Sequence, residues 1–190
     1  MSNAEFLNAA RHHRFKSLPT CRVISANKRS YSHNPNDKKS KIRRSKVLEN
    51  ISSFATNNDI ICLQESHTPA DSPFYACLPD SLLPPFSNPS SDPSLGGTDI
   101  LVRKDFALSF DIEPLNVVPG HIQLLRFSPK GDSPLFNQAF SVLNVYLPSG
   151  AGGDVSHLRN SCLSTLRELK CDRYVFAVGD WNMTEHESDS

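Results

Sequence analysis

The sequence predicts an α/β layered domain, and three observations carry that assignment. The chain opens as strand, helix and strand, with "CRVIS" at Cys21–Ser25, an amphipathic stretch from Lys41 to Asn57, and "IICLQ" at Ile60–Gln64. Closely spaced strand patterns then crowd the middle of the chain and imply a run of antiparallel strands. A second amphipathic stretch, Val155–Leu169, leads into a last apolar strand, "RYVFAV". Strands alternating with helices argue for layers of sheet and helix rather than an all-β fold.

Each element has a local reason. Cys21–Ser25 is apolar and β-branched, and it delivers Asn27 to a loop at the strand end. The following "KRSYSHNPNDKKS" is basic and rich in turn formers. Ile42, Val47, Leu48, Ile51, Phe54 and Ala55 recur at helical spacing and give the helix one buried stripe. The unbroken apolar run at Ile60–Gln64 reads as a fully buried strand. The Pro- and Ser-dense "SPFYACLPDSLLPPFSNPSSDPSLGG" predicts a long surface excursion with little regular structure. Strands are expected at Thr98–Val102, Ala107–Ile112, His121–Ser128 and Ala139–Leu147, with "PKGDSP" as a hairpin turn between the last two. "SGAGGD" lacks the Gly-Lys-Ser/Thr ending of a phosphate-cradling loop and reads as a turn before the helix, where Leu158, Cys162, Leu166 and Leu169 share one face.

The chain has 190 residues, enough for one ordinary domain with a sizeable core. No stretch approaches the ~18 consecutive apolar residues of a membrane-spanning helix. The zero net charge conceals an asymmetry: residues 1–50 hold 12 Lys/Arg against 3 Asp/Glu, and residues 51–190 hold 8 against 17. Such a basic N-terminal part suits either a phosphate-bearing partner or a solvated basic face. The 5 cysteines, without a C-x-x-C pair, supply neither a zinc knuckle nor a disulfide framework, and they favour a reducing compartment. Residues 1–20 have no apolar core of a secretory signal and read as a disordered leader before a domain over 21–190. The expected location is intracellular, with the nucleus ahead of the cytoplasm.

Polar residues stand at the ends of these strands: Asn27, Glu65, Tyr146, and Asp180 with Asn182. Each alone reads as a turn or cap residue. Together, each beside a hydrophobic strand, they can converge on one rim of a sheet. Mg²⁺ prefers oxygen ligands, keeps several waters and takes one or two carboxylates plus substrate phosphate oxygens, and Glu65 suits that role. A water attacking a phosphodiester needs a carboxylate to align or deprotonate it, for which Asp180 is the candidate. Charge growing on the phosphoryl oxygens calls for fixed donors, and the Asn182 and Asn27 amides and the Tyr146 hydroxyl are of that type. No serine or cysteine nucleophile is required.

These residues carry a resemblance. "DIICLQE", "NVYLPSG" and "VGDWNMTEHESD" are similar to motifs of the endonuclease/exonuclease/phosphatase superfamily, and they occur in its order between about Cys21 and Asp189. The resemblance implies a DNase-like sandwich of two β-sheets flanked by helices and Mg²⁺- or Mn²⁺-dependent phosphoester hydrolysis. It implies Glu65 as metal ligand, Asn27 as support for the metal and phosphate region, and Tyr146 as a phosphate contact. Asp180 would orient the attacking water and Asn182 would stabilise the transition state, with Asp189 as a structural acid.

Two departures stand out. The family's W-N-x-x-G element is here Ala26-Asn27-Lys28-Arg29-Ser30, and the sequence holds no Ser-Asp-His triplet of the kind that closes the family's domain. A DNase-like domain incomplete at its C-terminus is therefore expected. His67, His121, His157 and His186 lack that context and read as surface histidines. "GDWNMT" is closest to the endonucleases of non-LTR retrotransposons, with DNA as the partner bound through Lys28, Arg29, Lys38, Lys39, Lys41, Arg43 and Arg44. A non-catalytic binding module of the same fold, and a phosphatase or lipid phosphodiesterase on the same scaffold, are the alternatives.

Overall fold

The computed structural model describes residues 21–27, 38–69, 72–92, 96–131, 138–150, 152–171 and 174–182, with side chains in the first helix from Arg44 onward. The leader expected over 1–20, Lys28, Arg29, His186 and Asp189 lie outside these residues, as do the side chains of Lys38, Lys39, Lys41 and Arg43. The elements run β1 (Val23–Asn27), α1 (Lys38–Asn57), β2 (Ile60–Gln64), β3 (Phe86–Asn88), β4 (Thr98–Val102), α2 (Lys104–Ala107), β5 (Phe110–Val118), β6 (Ile122–Pro129), β7 (Phe140–Tyr146), α3 (Gly153–Glu168) and β8 (Val175–Asp180). They form two four-stranded mixed sheets, ordered β1-β2-β4-β3 and β5-β6-β7-β8. β1 runs parallel to β2 and β8 parallel to β7, while the other neighbours are antiparallel.

The sheets pack face to face as a DNase-like sandwich, with helices outside. Alternation along each strand sorts the core into layers. Ile60, Cys62, Ile100, Val102, Phe110, Leu125, Phe127, Phe140 and Val142 fill the space between the sheets. The opposite side of β2 and β4, Ile61, Leu63 and Leu101, packs under Ile51 and Ala55 of α1. Ile122, Leu124, Leu143 and Val145 pack under Cys162, Leu158 and Leu166 of α3. β2 and β7 are thus covered on both faces, and every residue of either strand is buried. Among the described residues no helix is long and apolar enough to cross a membrane.

At one end the space between the sheets is aromatic: Phe127 and Phe140 stack at 4.7 Å, with Phe110 edge-on to both. At the other end it is lined by amides. Gln64 Nε2 donates to Asn144 Oδ1 at 2.6 Å, Ser25 Oγ donates to Gln64 Oε1, and Asn144 Nδ2 donates to the Leu63 and Asp99 carbonyls. All the core polar atoms of this pair are engaged, which a buried amide requires.

Three expectations are corrected. The Pro- and Ser-dense excursion contains β3, and its Phe74, Leu82 and Asn88 are buried. Phe74 and Leu82 extend the core outside the first sheet, and Asn88 Nδ2 donates to Thr98 Oγ1 and the Val118 carbonyl. The strand expected at Ala107–Ile112 begins at Phe110 and continues to Val118, because Lys104–Ala107 turns helical around the Asp105 carboxylate, which accepts from the Phe106 N–H. Pro114 sits within it without breaking the ladder because β5 is an edge strand. β1 and β8 each run past the end of their apolar stretches, so Asn27 and Asp180 are the last residues of strands rather than loop residues.

Replacing Asn144 with Leu would leave Gln64 Nε2 without its acceptor and take a donor from the Leu63 and Asp99 carbonyls. We expect a loss of about 3 kcal/mol in urea unfolding, and a smaller loss in Gln64→Leu/Asn144→Leu than the sum of the two single changes.

Candidate active site

The register of the parallel pairs sets the geometry. Asn27 lies beside Gln64 at the end of β1 and β2, and Tyr146 lies beside Asp180 at the end of β7 and β8. Glu65 follows Gln64 directly. Asn27 Nδ2 donates to Asp180 Oδ2 at 2.6 Å, a bond between the first and last strands and between the two sheets. The Tyr146 hydroxyl faces the nearby Glu65 carboxylate. Asn182 is tied into the same rim: its N–H donates to Asp180 Oδ1 at 3.2 Å and its Nδ2 to the Leu147 carbonyl at 2.6 Å. The five residues singled out at strand ends therefore share one rim.

Close backbone approaches hold this arrangement. At Gly179, opposite Val145, φ is +146° and a Cβ would lie 1.9 Å from the Val145 carbonyl oxygen, so only glycine lets β8 reach β7 there. Leaving β2, Glu65 takes φ +52°, and the Ser66 and His67 N–H groups donate to the Gly97 and Gly96 carbonyls. A Cβ on Gly97 would meet Ser66 Oγ at 2.5 Å. A left-handed Glu costs roughly 1–2 kcal/mol, and this backbone pairing offsets it.

Burial first, and then the nearby Glu65 charge, push the Tyr146 phenol well above its ordinary value, with Asp180 adding to the shift. The phenol therefore stays protonated. Two carboxylates thus face one phenol and one amide, all oxygen or neutral nitrogen chemistry. Among the described residues no three His, Cys, Asp or Glu side chains gather as a metal cluster. Mg²⁺ needs no such cluster, and the hard oxygens of Glu65 and Asn27 fit it.

His121 overturns its reading as a surface histidine. It is 3% exposed, its ring stacks on Tyr146 at 5.6 Å, and its Nδ1 lies 3.1 Å from the Tyr146 carbonyl oxygen. Its position directly after the Pro119-Gly120 turn and before β6 was the available signal. His157 is exposed and His67 half-buried. Gln64 and Asn144, lone amides inside apolar runs, also escaped notice. The Arg44 guanidinium donates to the Pro73 carbonyl at 3.0 Å and sits over the Phe74 ring.

No family model matches the sequence, and no curated protein matches it. Solved structures do share its fold. An AP endonuclease from Leishmania major superposes with TM-score 0.64 at 15% identity, over 100% of this chain and 69% of that one. TDP2 of D. rerio complexed with a single-strand DNA product gives 0.58 at 18% identity, over 87% of this chain and 62% of that one. The mannosyl-6-phosphatase Bt3783 of Bacteroides thetaiotaomicron gives 0.52 at 18% identity, over 89% and 68%. The chain thus has the fold of the endonuclease/exonuclease/phosphatase proteins and spans about two thirds of the length of these structures.

Two outcomes follow from this geometry. Gly179→Ala should cost about 3 kcal/mol or more in urea unfolding, since both φ and the Val145 carbonyl oppose a side chain. Burial pulls the His121 pKa below its ordinary value, outweighing the bond to the Tyr146 carbonyl. An unfolded chain takes up that proton near pH 6.5 and the folded one only lower. The His121 contribution is therefore full above that pH and falls by up to about 1.4 kcal/mol per unit as pH drops toward the folded value. The measure is the wild-type minus His121→Phe stability difference between pH 8 and pH 5.

Proposed function

We propose that this chain is a divalent-cation-dependent phosphodiester hydrolase of endonuclease type that acts on DNA. The observation that carries the reading is the Asn27–Asp180 hydrogen bond, with the Tyr146 phenol and the Glu65 carboxylate beside it at one rim of this fold. Glu65 and Asn27 Oδ1 would hold the cation, Mg²⁺ or Mn²⁺, the Asn27 nitrogen being already donated to Asp180. The bound ion supplies Lewis-acid polarisation of a phosphoryl oxygen. Asp180, fixed by the Asn27 amide and the Asn182 N–H, aligns and deprotonates the attacking water. Tyr146, held protonated, offers its hydroxyl hydrogen to a phosphate oxygen. One amide hydrogen of Asn182 is bonded to Leu147 and the second serves the charge that develops.

DNA is favoured as substrate by the basic residues Lys28, Arg29, Lys38, Lys39, Lys41 and Arg43, by the retrotransposon-like "GDWNMT", and by the single-strand DNA product in the TDP2 structure. The acid and histidine of a Ser-Asp-His element have no counterpart in the sequence. Removing one preorganised transition-state group costs about 10²–10³ in rate. The chain as it stands is therefore expected to nick supercoiled plasmid very slowly with Mg²⁺, and a version extended by a Ser-Asp-His-bearing segment to nick readily. Glu65→Gln in the extended chain should lower the rate at least about 10²-fold. An extended chain that cuts neither plasmid, an inositol phosphate nor sphingomyelin would overturn the reading. Cleavage of a non-DNA substrate alone would move it to a phosphatase or lipid phosphodiesterase.

A further inference from the structure

Tyr146 is clasped by His121 on three counts. The Tyr146 N–H donates to the His121 carbonyl at 2.7 Å, and His121 Nδ1 lies 3.1 Å from the Tyr146 carbonyl oxygen. The two rings lie nearly parallel, 10° apart, with centroids at 5.6 Å. A carbonyl oxygen only accepts, so Nδ1 carries the hydrogen in this bond and Nε2 carries the lone pair of the neutral ring. The imidazole has little room to leave: a Cβ on Gly96 would come within 3.2 Å of its Cε1.

We propose that His121 is a positioning residue for Tyr146, its imidazole setting the tilt of the phenol ring that reaches Glu65. Rotation about the ring axis leaves the hydroxyl in place, because the oxygen lies on that axis. Only a tilt of the whole ring carries it away, and a flat partner against one face resists that tilt. A histidine that merely fills core space has no reason to lie parallel to the one phenol that faces Glu65, nor to set its Nδ1 against the carbonyl of that same residue. The consequence for turnover rests on the phosphodiesterase reading above, since a shift of about 1 Å in such a group costs about 10² in rate. The positioning itself does not depend on it.

The test follows the Tyr146 phenol by NMR in protein labelled with ¹³Cζ-tyrosine, with Tyr146→Phe assigning its signal among the 4 tyrosines. His121→Phe keeps a flat ring and removes the Nδ1 donor. His121→Asn keeps a donor near the Nδ1 position and removes the ring, and its retained hydrogen bond guards against misfolding. His121→Ala removes both. The Tyr146 signal should stay near its wild-type shift in His121→Phe. In His121→Asn and His121→Ala it should move toward that of an exposed tyrosine. In the extended chain the same two variants should lose about 10²-fold in kcat with little change in KM, and His121→Phe should retain most of the rate. A folded His121→Asn protein with an unmoved Tyr146 signal would overturn the proposal. A moved signal in a protein that cleaves no phosphoester would leave the positioning intact and remove only the hydrolase reading.

Discussion

Between the two sheets the Gln64 amide donates to Asn144 Oδ1 at 2.6 Å, and the polar residues of the rim lie one or two positions beyond that bond. Glu65 follows Gln64, and Tyr146 is two residues past Asn144. A buried amide pair tolerates little sliding, because each shift leaves a donor or acceptor without a partner in a dry core. The apolar layer would accept several packings of one sheet on the other. The amide pair selects one, and so fixes which residue of β2 faces which residue of β7. Asn27–Asp180 then closes the same two sheets at the surface, 153 residues apart in the chain.

Backbone strain gathers in the same place. The described non-glycine residues with positive φ are Glu65, His67 and Asn182, at +52°, +44° and +41°. All three belong to the segments that leave β2 and β8 at the rim. Their conformations persist because neighbouring strands impose them: the Gly96 and Gly97 carbonyls hold the Ser66 and His67 N–H groups, and the Leu147 carbonyl holds Asn182. Such conformations are kept only where the surroundings over-determine them, and they aim side chains that regular strand geometry would send elsewhere.

Much of this was legible in the sequence. The doubly covered strands announced themselves as apolar runs, β2 at Ile60–Gln64 and β4 at Thr98–Val102 with the bounds read from the pattern. The polar strand-end residues could be named because each follows or ends such a run. Periodicity is blind to what depends on distant contacts. β3 is only three residues long and owes its existence to the edge of β4, so no local pattern marks it. The partnership of Gln64 and Asn144 spans 80 residues, and either amide alone looks like a strand end or an exposed position. His121 was misjudged because a histidine next to a Pro-Gly turn usually faces water, whereas here the turn folds back against Gly96 and Tyr146.

The rim owes its electrostatic character to the kind of donor that holds its carboxylates. An amide holds Asp180 and a phenol faces Glu65, and both are neutral. Among the described residues the ion pairs lie elsewhere, at Arg103 with Asp59 and Asp105, Arg126 with Glu113, and Lys130 with Asp111. An arginine in place of Asn27 would hold Asp180 as firmly and cancel its charge. Neutral donors fix position and leave the negative charge in place, which two neighbouring carboxylates tolerate only at an open, half-solvated rim. That residual charge attracts a hard cation and repels a bare phosphate. On the proposed function, a phosphate ester would therefore approach with a cation between it and Glu65, since the rim's charge repels the bare ester and attracts the ion.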